Sequence, residues 1–407
     1  MPVLIDIGTL YTCAPAGTQG ELHPVRDAAL AWEGDTVRWV GSASQLPPRY
    51  AGGAVESAGG AIVIPGLVDC HTHLAFGGWR AEEFEARILG KTYLEIAAAG
   101  GGISSTVAKT RAAPSEVLRR RCEVHLEQMA QLGVTTVEAK SGYGLSLEHE
   151  LRLLEIYRDL TAGAQRIVPT LLAAHTVPPE FRGRTAAYLK LVIEEIIPAV
   201  ATQKLARFCD VFVEQGVFSI EEGRRVLQAG LAVGLRPKLH ADQITCTGGA
   251  ELAAELGAVS ADHLEQISET GIRRLGEAGV VAVSLPFASL YLNMAPLPAR
   301  ELIESGVAVA VATDFNPGSA PSYHLPMALT LACTLQRMTP SEALKGATSI
   351  AARAIGLDGE VGSLEAGKSA DFAVIEAESV DQWLYHLRAN ACMRTVVRGR
   401  EIWKCGA

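Results

Sequence analysis

The chain has 407 residues, of which 48% are hydrophobic, and a formal net charge of −9 at pH 7. This length and composition allow a large buried core and exclude a disordered chain. The acidic balance and the lack of a cluster of lysines and arginines argue against a nucleic-acid partner. No apolar run reaches the about 18 residues of a membrane-spanning helix, and the first residues lack the pattern of a signal peptide. We therefore expect a cytoplasmic protein that binds neither nucleic acid nor a membrane.

The two ends of the chain have the pattern of short β-strands. Near the N-terminus, "AALAWEG" and "TVRWVG" meet at "GD", which is a hairpin signal. Near the C-terminus, "ADFAVIEAES" and "MRTVVRGREIW" have the same pattern. Short strands cannot each bury a face alone. We therefore expect residues 1–61 and 355–407 to pair into one small β-sandwich domain.

The segment "IVIPGLVDCHTH" ends in two histidines, His71 and His73, which are separated by one residue. In an extended strand, residues two positions apart point to the same face, so the two imidazoles can converge on one point. A metal ion is the first candidate for that point. A lone His-x-His pair is more often a coincidence than a metal site, so further ligands are needed to support this interpretation.

Between residues 62 and 318, strand-like segments alternate with amphipathic helical segments, the pattern of parallel βα units. Eight such strands predict an α/β fold, a closed (β/α)8 TIM-like barrel over residues 62–354, with its active site at the C-terminal ends of the strands. The predicted strands are "IVIPGLVDCHTH", "VTTVEAKSGYG", "RIVPTLLAAHTVP", "CDVFVEQGVF", "RPKLHAD", "AVSADHL", "VVAVSLPFA" and "VAVAVATDFNPG".

Polar side chains follow nearly every one of these apolar strands, and some of them are metal ligands by type. "KLHAD" supplies His240 and "VATDFNPG" supplies Asp314, so His71, His73, His240 and Asp314 could surround one ion. Three imidazoles and a carboxylate suit Zn²⁺ with a position left for water, and Fe²⁺ accepts a similar set. The eight cysteines contain no Cys-x-x-Cys pair, so we expect reduced thiols and no sulfur-ligated site.

His263 ends the sixth strand in "SADHLEQ", where three roles are open. It could be a fifth ligand, an acid or base beside the metal, or a core histidine held by a neighbouring carboxylate. The other histidines have no strand-end context, and we expect them at the surface. They are His23, His125, His149, His324 and His386.

Longer motifs resemble a known superfamily over nearly the whole chain. "PGLVDCHTHLAFGG", "LHAD", "SADHL", "ATDFNPGS", "GATSIAARAIGL" and "VGSLEAGKSADFAVIE" resemble the amidohydrolase superfamily of metal-dependent hydrolases. "FGGWRAEEFEAR", "KTYLEIAAAGGGISSTV", "GVTTVEAKSGYGL", "AAHTVPPEF" and "SADHLEQI" are more specific, and they resemble the imidazolonepropionase family within it.

The resemblance implies a metal ligated by His71, His73, His240 and Asp314. Two-metal members of the superfamily use a lysine on the fourth strand, where this chain has Glu214, so one Zn²⁺ or Fe²⁺ is expected. Lys140 is on the second strand, where an ion pair with Glu138 or a nearby acid is expected. Asp314 and His263 are the implied catalytic residues. The implied substrate contacts are Arg80, Tyr93, Tyr143, His175, Gln243, Asn316, Gly318 and Ser319.

Position 243 departs from some relatives, which have Glu where this chain has Gln. A carboxylate only accepts hydrogen bonds, whereas an amide also donates them. We therefore expect Gln243 to position the substrate rather than transfer a proton.

The implied reaction is hydrolysis of the cyclic amide 4-imidazolone-5-propanoate to N-formimino-L-glutamate in histidine degradation, by a homodimer acting on this small molecule. Arg80 has a guanidinium that matches a carboxylate, so it is the expected partner of the propionate. One alternative is another cyclic-amide or amidine hydrolase, such as a purine or pyrimidine deaminase, whose substrate would leave Arg80 without a partner. A second alternative, a non-catalytic binding protein on this fold, would be expected to have lost metal ligands.

Overall fold

The computed structural model describes residues 1–50, 54–91, 95–96 and 100–406. Within this part of the chain, two eight-stranded sheets organise the molecule. One contains only parallel strands from the middle of the sequence, and the other is built from both ends of the chain. The predicted fold class is therefore confirmed.

The terminal sheet contains strands from both ends of the chain, and the two sets meet at Ile62–Pro65, which pairs with a strand of each set. Along this sheet the order is β16-β15-β14-β5-β1-β2-β3, with β4 beside β1. The predicted "GD" hairpin is present, because β2 and β3 are antiparallel with Glu33 opposite Thr36. The strands are β1 (Val3–Tyr11), β2 (Pro24–Glu33), β3 (Thr36–Ser42), β4 (Val55–Ser57), β5 (Ile62–Pro65), β14 (Phe372–Ile375), β15 (Cys392–Val397) and β16 (Arg400–Lys404).

The barrel strands follow one another in sequence order around the central sheet. A parallel bridge between Thr72 and Phe315 joins the first strand end to the last, which closes the ring at the C-terminal face. The strands are β6 (Leu67–Asp69), β7 (Val134–Lys140), β8 (Arg166–Ala174), β9 (Phe208–Val213), β10 (Arg236–Ala241), β11 (Ser260–His263), β12 (Val281–Ser284) and β13 (Val309–Val311).

The predicted strand "IVIPGLVDCHTH" is two strands in the structure. Its first half is β5 in the terminal sheet, and its second half is β6 in the barrel. Gly66 lies between them, against Thr135, where a Cβ would overlap the threonine side chain. The close approach therefore needs glycine at the point where the chain changes sheets. The division into domains at residues 61 and 354 stays a prediction.

Helices cover the outside of the barrel, and several begin with side-chain caps. Ser219 and Glu222 form a capping box at the start of one, and Thr339 and Glu342 at another. The helices are α1 (Ala81–Ile88), α2 (Gly102–Ala112), α3 (Ser115–Ala130), α4 (Leu147–Leu160), α5 (Thr185–Leu191), α6 (Ile197–Thr202), α7 (Ile220–Ala232), α8 (Gly249–Glu255), α9 (Glu269–Ala278), α10 (Pro286–Leu292), α11 (Ala299–Glu304), α12 (Leu325–Gln336), α13 (Pro340–Gly346), α14 (Ser349–Ala354) and α15 (Val380–Tyr385).

A π-helical segment, Val192–Ile196, connects α5 to α6, and three single 3₁₀ turns are present in the described chain. No helix there is long and apolar enough to cross a bilayer. All eight cysteines are free thiols, as predicted. The 3₁₀ turns are Ala43–Gln45, Pro48–Tyr50 and Pro179–Phe181.

Each of the two sheets packs against a hydrophobic core. The larger one lies between the barrel strands and their helices, and the terminal sheet has its own core around Trp32 and Phe372. Their rings meet edge to face, with centroids 5.3 Å apart. Arg166 at the start of β8 pairs with Asp371 and donates to Ser369 Oγ, which ties the barrel to the terminal sheet.

Phe372→Ala is expected to lower the free energy of unfolding by about 3–5 kcal/mol, because it leaves a cavity beside Trp32 in a fully buried core. Chemical denaturation followed by tryptophan fluorescence measures this loss. Val55→Ala is the control, since Val55 is 53% exposed on the same sheet and should change stability little. Equal midpoints for the two variants would contradict the placement of this core.

Candidate metal centre and active site

His71 and His73 meet Asp314 at the point where the barrel closes. Backbone bonds fix this junction: the Asp314 N–H donates to the His71 carbonyl at 3.0 Å, and the His73 N–H donates to the Phe315 carbonyl at 2.8 Å. The Nε2 atoms of both histidines then lie 3.4 Å from Asp314 Oδ1. Sheet closure therefore brings Asp314 to two histidines from the other end of the barrel sequence.

Two more histidines complete the cluster. Ligand atoms of His71, His73 and His240 all lie within 4.8 Å of one another, and the same holds for His71, His263 and Asp314. All five side chains are buried. The structure thus brings together the four predicted ligands and places His263 beside them.

Buried carboxylates orient two of these imidazoles. His71 Nδ1 donates to Asp262 Oδ2 at 2.7 Å, and His240 Nδ1 lies 3.1 Å from Asp210 Oδ2. With each Nδ1 carrying the proton, Nε2 presents a lone pair. Both Nε2 atoms are buried and have no hydrogen-bond partner in the described chain. Carboxylates in this position are typical of metal-ligating histidines.

Two buried lysines neutralise these carboxylates. Lys140 Nζ lies 2.9 Å from Glu138, 2.8 Å from Asp210 and 3.3 Å from Asp262. Lys238 lies 3.7 Å from Glu138 and 3.9 Å from Asp262. The ion pair expected for Lys140 is present, and it includes three carboxylates beneath the histidines instead of one.

The chemistry of this donor set fits a divalent metal. Burial lowers the pKa of His73, and it lowers the pKa of His240 to about 3, so both imidazoles are neutral ligands at pH 7. Ligands at about 2.0–2.2 Å from a tetrahedral zinc lie roughly 3.4 Å apart. The 3.4 Å separations of Asp314 from His71 and His73 match that spacing and are long for hydrogen bonds.

A cavity of about 930 Å³ opens above the histidines. The structure places most of the predicted substrate contacts in its wall, whereas Tyr93 lies outside the described residues. Gly318 lies behind Arg80 rather than in the wall of this cavity. The predicted residues that line the cavity are Arg80, Tyr143, His175, Gln243, Asn316, Ser319, His263, His240, His73 and Asp314.

Arg80 is a buried cation in the wall of this cavity, with 5% of its surface exposed. Its Nε and Nη1 atoms are buried without a hydrogen-bond partner among the described residues. Glu83 Oε2 lies 3.5 Å from Nε, so Arg80 has one long ion pair in the described part of the protein. A Cβ on Gly318 would overlap the guanidinium, so the missing side chain there makes room for Arg80.

Asn316 uses both ends of its amide within its own loop. Its Nδ2 donates to the Asp314 carbonyl at 2.7 Å and to Ser319 Oγ at 3.0 Å. Its Oδ1 accepts the N–H groups of Gly318 and Ser319, each at 2.8 Å. Asn316 therefore holds the loop that supports Arg80, and a direct contact with substrate stays a prediction.

His175 and His263 differ in how their rings are held. His175 Nδ1 donates to the Gly142 carbonyl at 3.1 Å, and burial together with nearby His73 and His240 keeps its pKa well below the ordinary value. His263 has a left-handed backbone with φ of 80°. Its Nδ1 lies 3.7 Å from Glu265 Oε1, which is too long for a hydrogen bond.

The surface placement expected for His125 is wrong. His125 is 8% exposed and packs beneath the site, with ring centroids 5.5 Å from Phe76 and 4.9 Å from Phe315. Phe315 directly follows Asp314, one of the predicted ligands. The charged residues around His125 on α3 led to the expectation of a surface position. Its spacing, three residues after buried Cys122, instead places it on the apolar face of the helix.

Three further charged residues support the predicted ligands and were not expected from the sequence. They are Asp210, Lys238 and Asp262, each a buried charge within a strand, in "CDVFV", "PKLHA" and "SADH". A charge in a buried strand needs a partner. A charged residue within a predicted barrel strand therefore indicates a charged partner on a neighbouring strand, and this pattern in the sequence points to all three residues.

Comparisons with known proteins agree with this geometry. The amidohydrolase family model matches residues 228–402. The imidazolonepropionase of Geobacillus kaustophilus is 46% identical over 94% of this chain and 91% of the relative. That of Symbiobacterium thermophilum is 47% identical over 98% and 96%. The chain belongs to the imidazolonepropionase family.

Solved structures share the architecture of this imidazolonepropionase family member at low sequence identity. Guanine deaminase of E. coli has a TM-score of 0.75 at 17% identity and covers 100% of both chains. A mutant atrazine chlorohydrolase from Arthrobacter aurescens, complexed with zinc and atraton, has a TM-score of 0.77 at 18% identity over 99% of this chain and 95% of its own. At such identities the likeness shows the fold alone.

His240→Ala is expected to lower the bound metal well below one ion per chain, because it removes a buried lone pair that faces His71 and His73. Metal content by mass spectrometry and circular dichroism of the same sample test this. His386→Ala, at an exposed histidine, is the control. A folded His240→Ala protein with full metal content would contradict the ligand assignment.

The pH dependence of the free energy of unfolding should contain a contribution from protonation of His125. Burial lowers its pKa to about 4, so as pH falls below about 6.5 the unfolded chain binds a proton before the folded chain does. Stability is therefore lost between about pH 6.5 and pH 4. Urea unfolding at pH 7 and pH 5 should show about 2 kcal/mol more loss for wild type than for His125→Gln. Equal losses would rule out this contribution.

Proposed function

We propose that this chain hydrolyses 4-imidazolone-5-propanoate to N-formimino-L-glutamate, a ring-opening step of histidine degradation. Relatives that are 46–47% identical over most of the chain are imidazolonepropionases, which supports this substrate. The observation that carries the proposal is Arg80, a buried guanidinium with unpartnered nitrogens in the same cavity as the histidine cluster. A neutral purine or pyrimidine would leave that cation without a partner.

The proposed cofactor is one Zn²⁺ or Fe²⁺ held by His71, His73, His240 and Asp314. When bound, such an ion lowers the pKa of its water toward about 7 and so supplies a nucleophile at neutral pH. A single ion is supported by Lys140, which is fully buried and already pairs with three carboxylates. It is therefore an ion-pair partner and not a bridging ligand.

Asp314 is the proposed proton acceptor. Its carboxylate lies at the centre of the histidine cluster and in the cavity wall, so it can take the proton of the attacking water. The same carboxyl group can then return the proton to the departing ring nitrogen. His263, which lies beside Asp314 and lines the cavity, is placed to stabilise the oxygen that becomes negative as the carbonyl is attacked.

Tyr143, His175 and Gln243 are the proposed contacts of the ring. All three line the cavity, and the Nδ1 donation of His175 to Gly142 leaves its Nε2 as an acceptor for a ring N–H. The Gln243 amide can both donate and accept, which suits a ring that has both kinds of group. Asn316, Gly318 and Ser319 then hold Arg80 and the adjoining loop in place.

The assembly and location are proposed on the resemblance alone. We expect a homodimer in the cytoplasm, which light scattering on the purified protein and fractionation of the source cells would test.

Arg80→Met is expected to lower kcat/KM for 4-imidazolone-5-propanoate by about 10- to 150-fold, the roughly 1.5–3 kcal/mol of a hydrogen bond to a charged group. The same change should matter much less for an analogue that lacks the carboxylate. Steady-state kinetics on both compounds measures the difference. Lys91→Met is the matched control, because Lys91 is an exposed cation at the same cavity.

The outcome that would contradict this role is an equal loss on both substrates, since Arg80 would then support the site without binding the carboxylate. Gly318→Ala offers a second test that keeps Arg80 itself. The added methyl should displace the guanidinium and reproduce the substrate-selective loss.

A further inference from the structure

The loop of residues 141–145 connects β7 to α4 and presents Tyr143 to the cavity. Its backbone is in an unusual conformation. Gly142 has φ of 94°, and Leu145 has φ of 49°, in a left-handed region that a leucine rarely adopts. A Cβ on Gly144 would lie 2.6 Å from the Glu150 nitrogen, so the loop also packs tightly on α4. Such a conformation persists only if its surroundings hold it.

Glu150 is the side chain that holds the N–H groups of this loop. It is in the first turn of α4 and is fully buried. Its Oε1 accepts the N–H groups of Gly144 and Leu145, each at 2.8 Å. The Gly142 N–H is shared between Oε2 at 3.1 Å and Oε1 at 3.2 Å. Three backbone donors therefore converge on one carboxylate.

Arg111 holds the carbonyl groups of the same loop from the other side. Its Nε donates to the Gly144 carbonyl at 2.6 Å, and its Nη2 donates to the Leu145 carbonyl at 3.0 Å. Its Nη1 pairs with Glu180, which follows β8, at 2.8 Å. The loop is thus fixed to both neighbouring segments, and Glu150 is the buried half of this arrangement.

The hydrogen bonds of Glu150 are linked to the cavity through Gly142. The Gly142 N–H donates to Glu150, and the Gly142 carbonyl accepts from His175 Nδ1 at 3.1 Å. Tyr143, the next residue, has its ring 5.5 Å from His175 and 5.5 Å from His73. One carboxylate outside the cavity therefore sets the backbone on which two of its lining side chains depend.

We infer that Glu150 is a positioning residue of the reaction: its carboxylate fixes the 141–145 loop so that Tyr143 and the Nδ1-protonated His175 face the substrate. This inference rests on the proposed function for its kinetic consequence. It assigns no chemistry to Glu150, which neither lines the cavity nor contacts the histidine cluster.

Glu150→Gln separates this role from general support of the fold. The glutamine has nearly the same volume, and its oxygen can still accept from Gly144 and Leu145. Its NH₂ group then replaces the nearer of the two oxygens that accept the Gly142 N–H, so this N–H faces another donor and keeps only the longer contact with Oε1. The substitution therefore disturbs the one contact that leads to His175 while it keeps most of the buried hydrogen bonds. Glu148→Gln, at an exposed position of the same helix, is the matched control.

The expected result is a loss of at least tenfold in kcat/KM for 4-imidazolone-5-propanoate in Glu150→Gln, with unchanged metal content. In a His175→Asn background the same substitution should cost several-fold less, because one of the two side chains through which it acts is gone. Glu148→Gln should stay within twofold of wild type. A Glu150→Gln loss below twofold, or an equal loss in both backgrounds, would overturn the inference.

Nitrogen-15 NMR of the ten histidines gives a readout that does not depend on turnover. The wild-type protein should show a protected Nδ1–H signal that disappears in His175→Asn, and Glu150→Gln should shift that signal. If wild type lacks the signal, the inference fails even where the Glu150 variant does not fold. If wild type does not hydrolyse the substrate, the proposed function fails, and these spectra still decide the role of Glu150.

Discussion

The cluster of two lysines and three acids beneath the histidines is the constraint on which the site depends. Lys140, Lys238, Glu138, Asp210 and Asp262 are each at most 1% exposed. A buried ion costs several kcal/mol unless it is paired, so removing one member leaves a charge that the barrel interior cannot solvate. Because Asp262 and Asp210 also accept from His71 and His240, the same pairing that makes the cluster tolerable fixes which nitrogen each imidazole presents.

Above this rigid layer, three loops at the cavity follow a common rule. In the loops after β7, β10 and β13, a buried polar side chain accepts several backbone N–H groups. Asp242 accepts those of Thr247, Gly248, Gly249 and Ala250 at the start of α8, and Asn316 has the same function beside Arg80. Loops without regular hydrogen bonds are thereby made as well defined as the strands that precede them, which preorganised binding requires.

The sequence predicts the barrel and the ligands because both leave local signals. Alternating strand and helix patterns predict the eight βα units. A histidine at the end of a strand can be recognised from the sequence of that strand alone. Interactions between distant segments leave no such signal. The change of sheet at Gly66 depends on Thr135, and the burial of His125 depends on Phe315. Glu150 falls in an ordinary charged helix, and only the folded loop shows what its carboxylate binds.

The position of Arg80 shows how a common barrel can acquire a particular substrate preference. The barrel is shared with guanine deaminase and atrazine chlorohydrolase at only 17–18% identity. The guanidinium has room in the cavity wall because Gly318 has no side chain. Asn316 accepts the Gly318 N–H and so holds this glycine behind the guanidinium. Neither residue is part of a barrel strand. The placement of this guanidinium thus depends on a few loop residues and an absent Cβ, while the charged layer below separately orients His71 and His240.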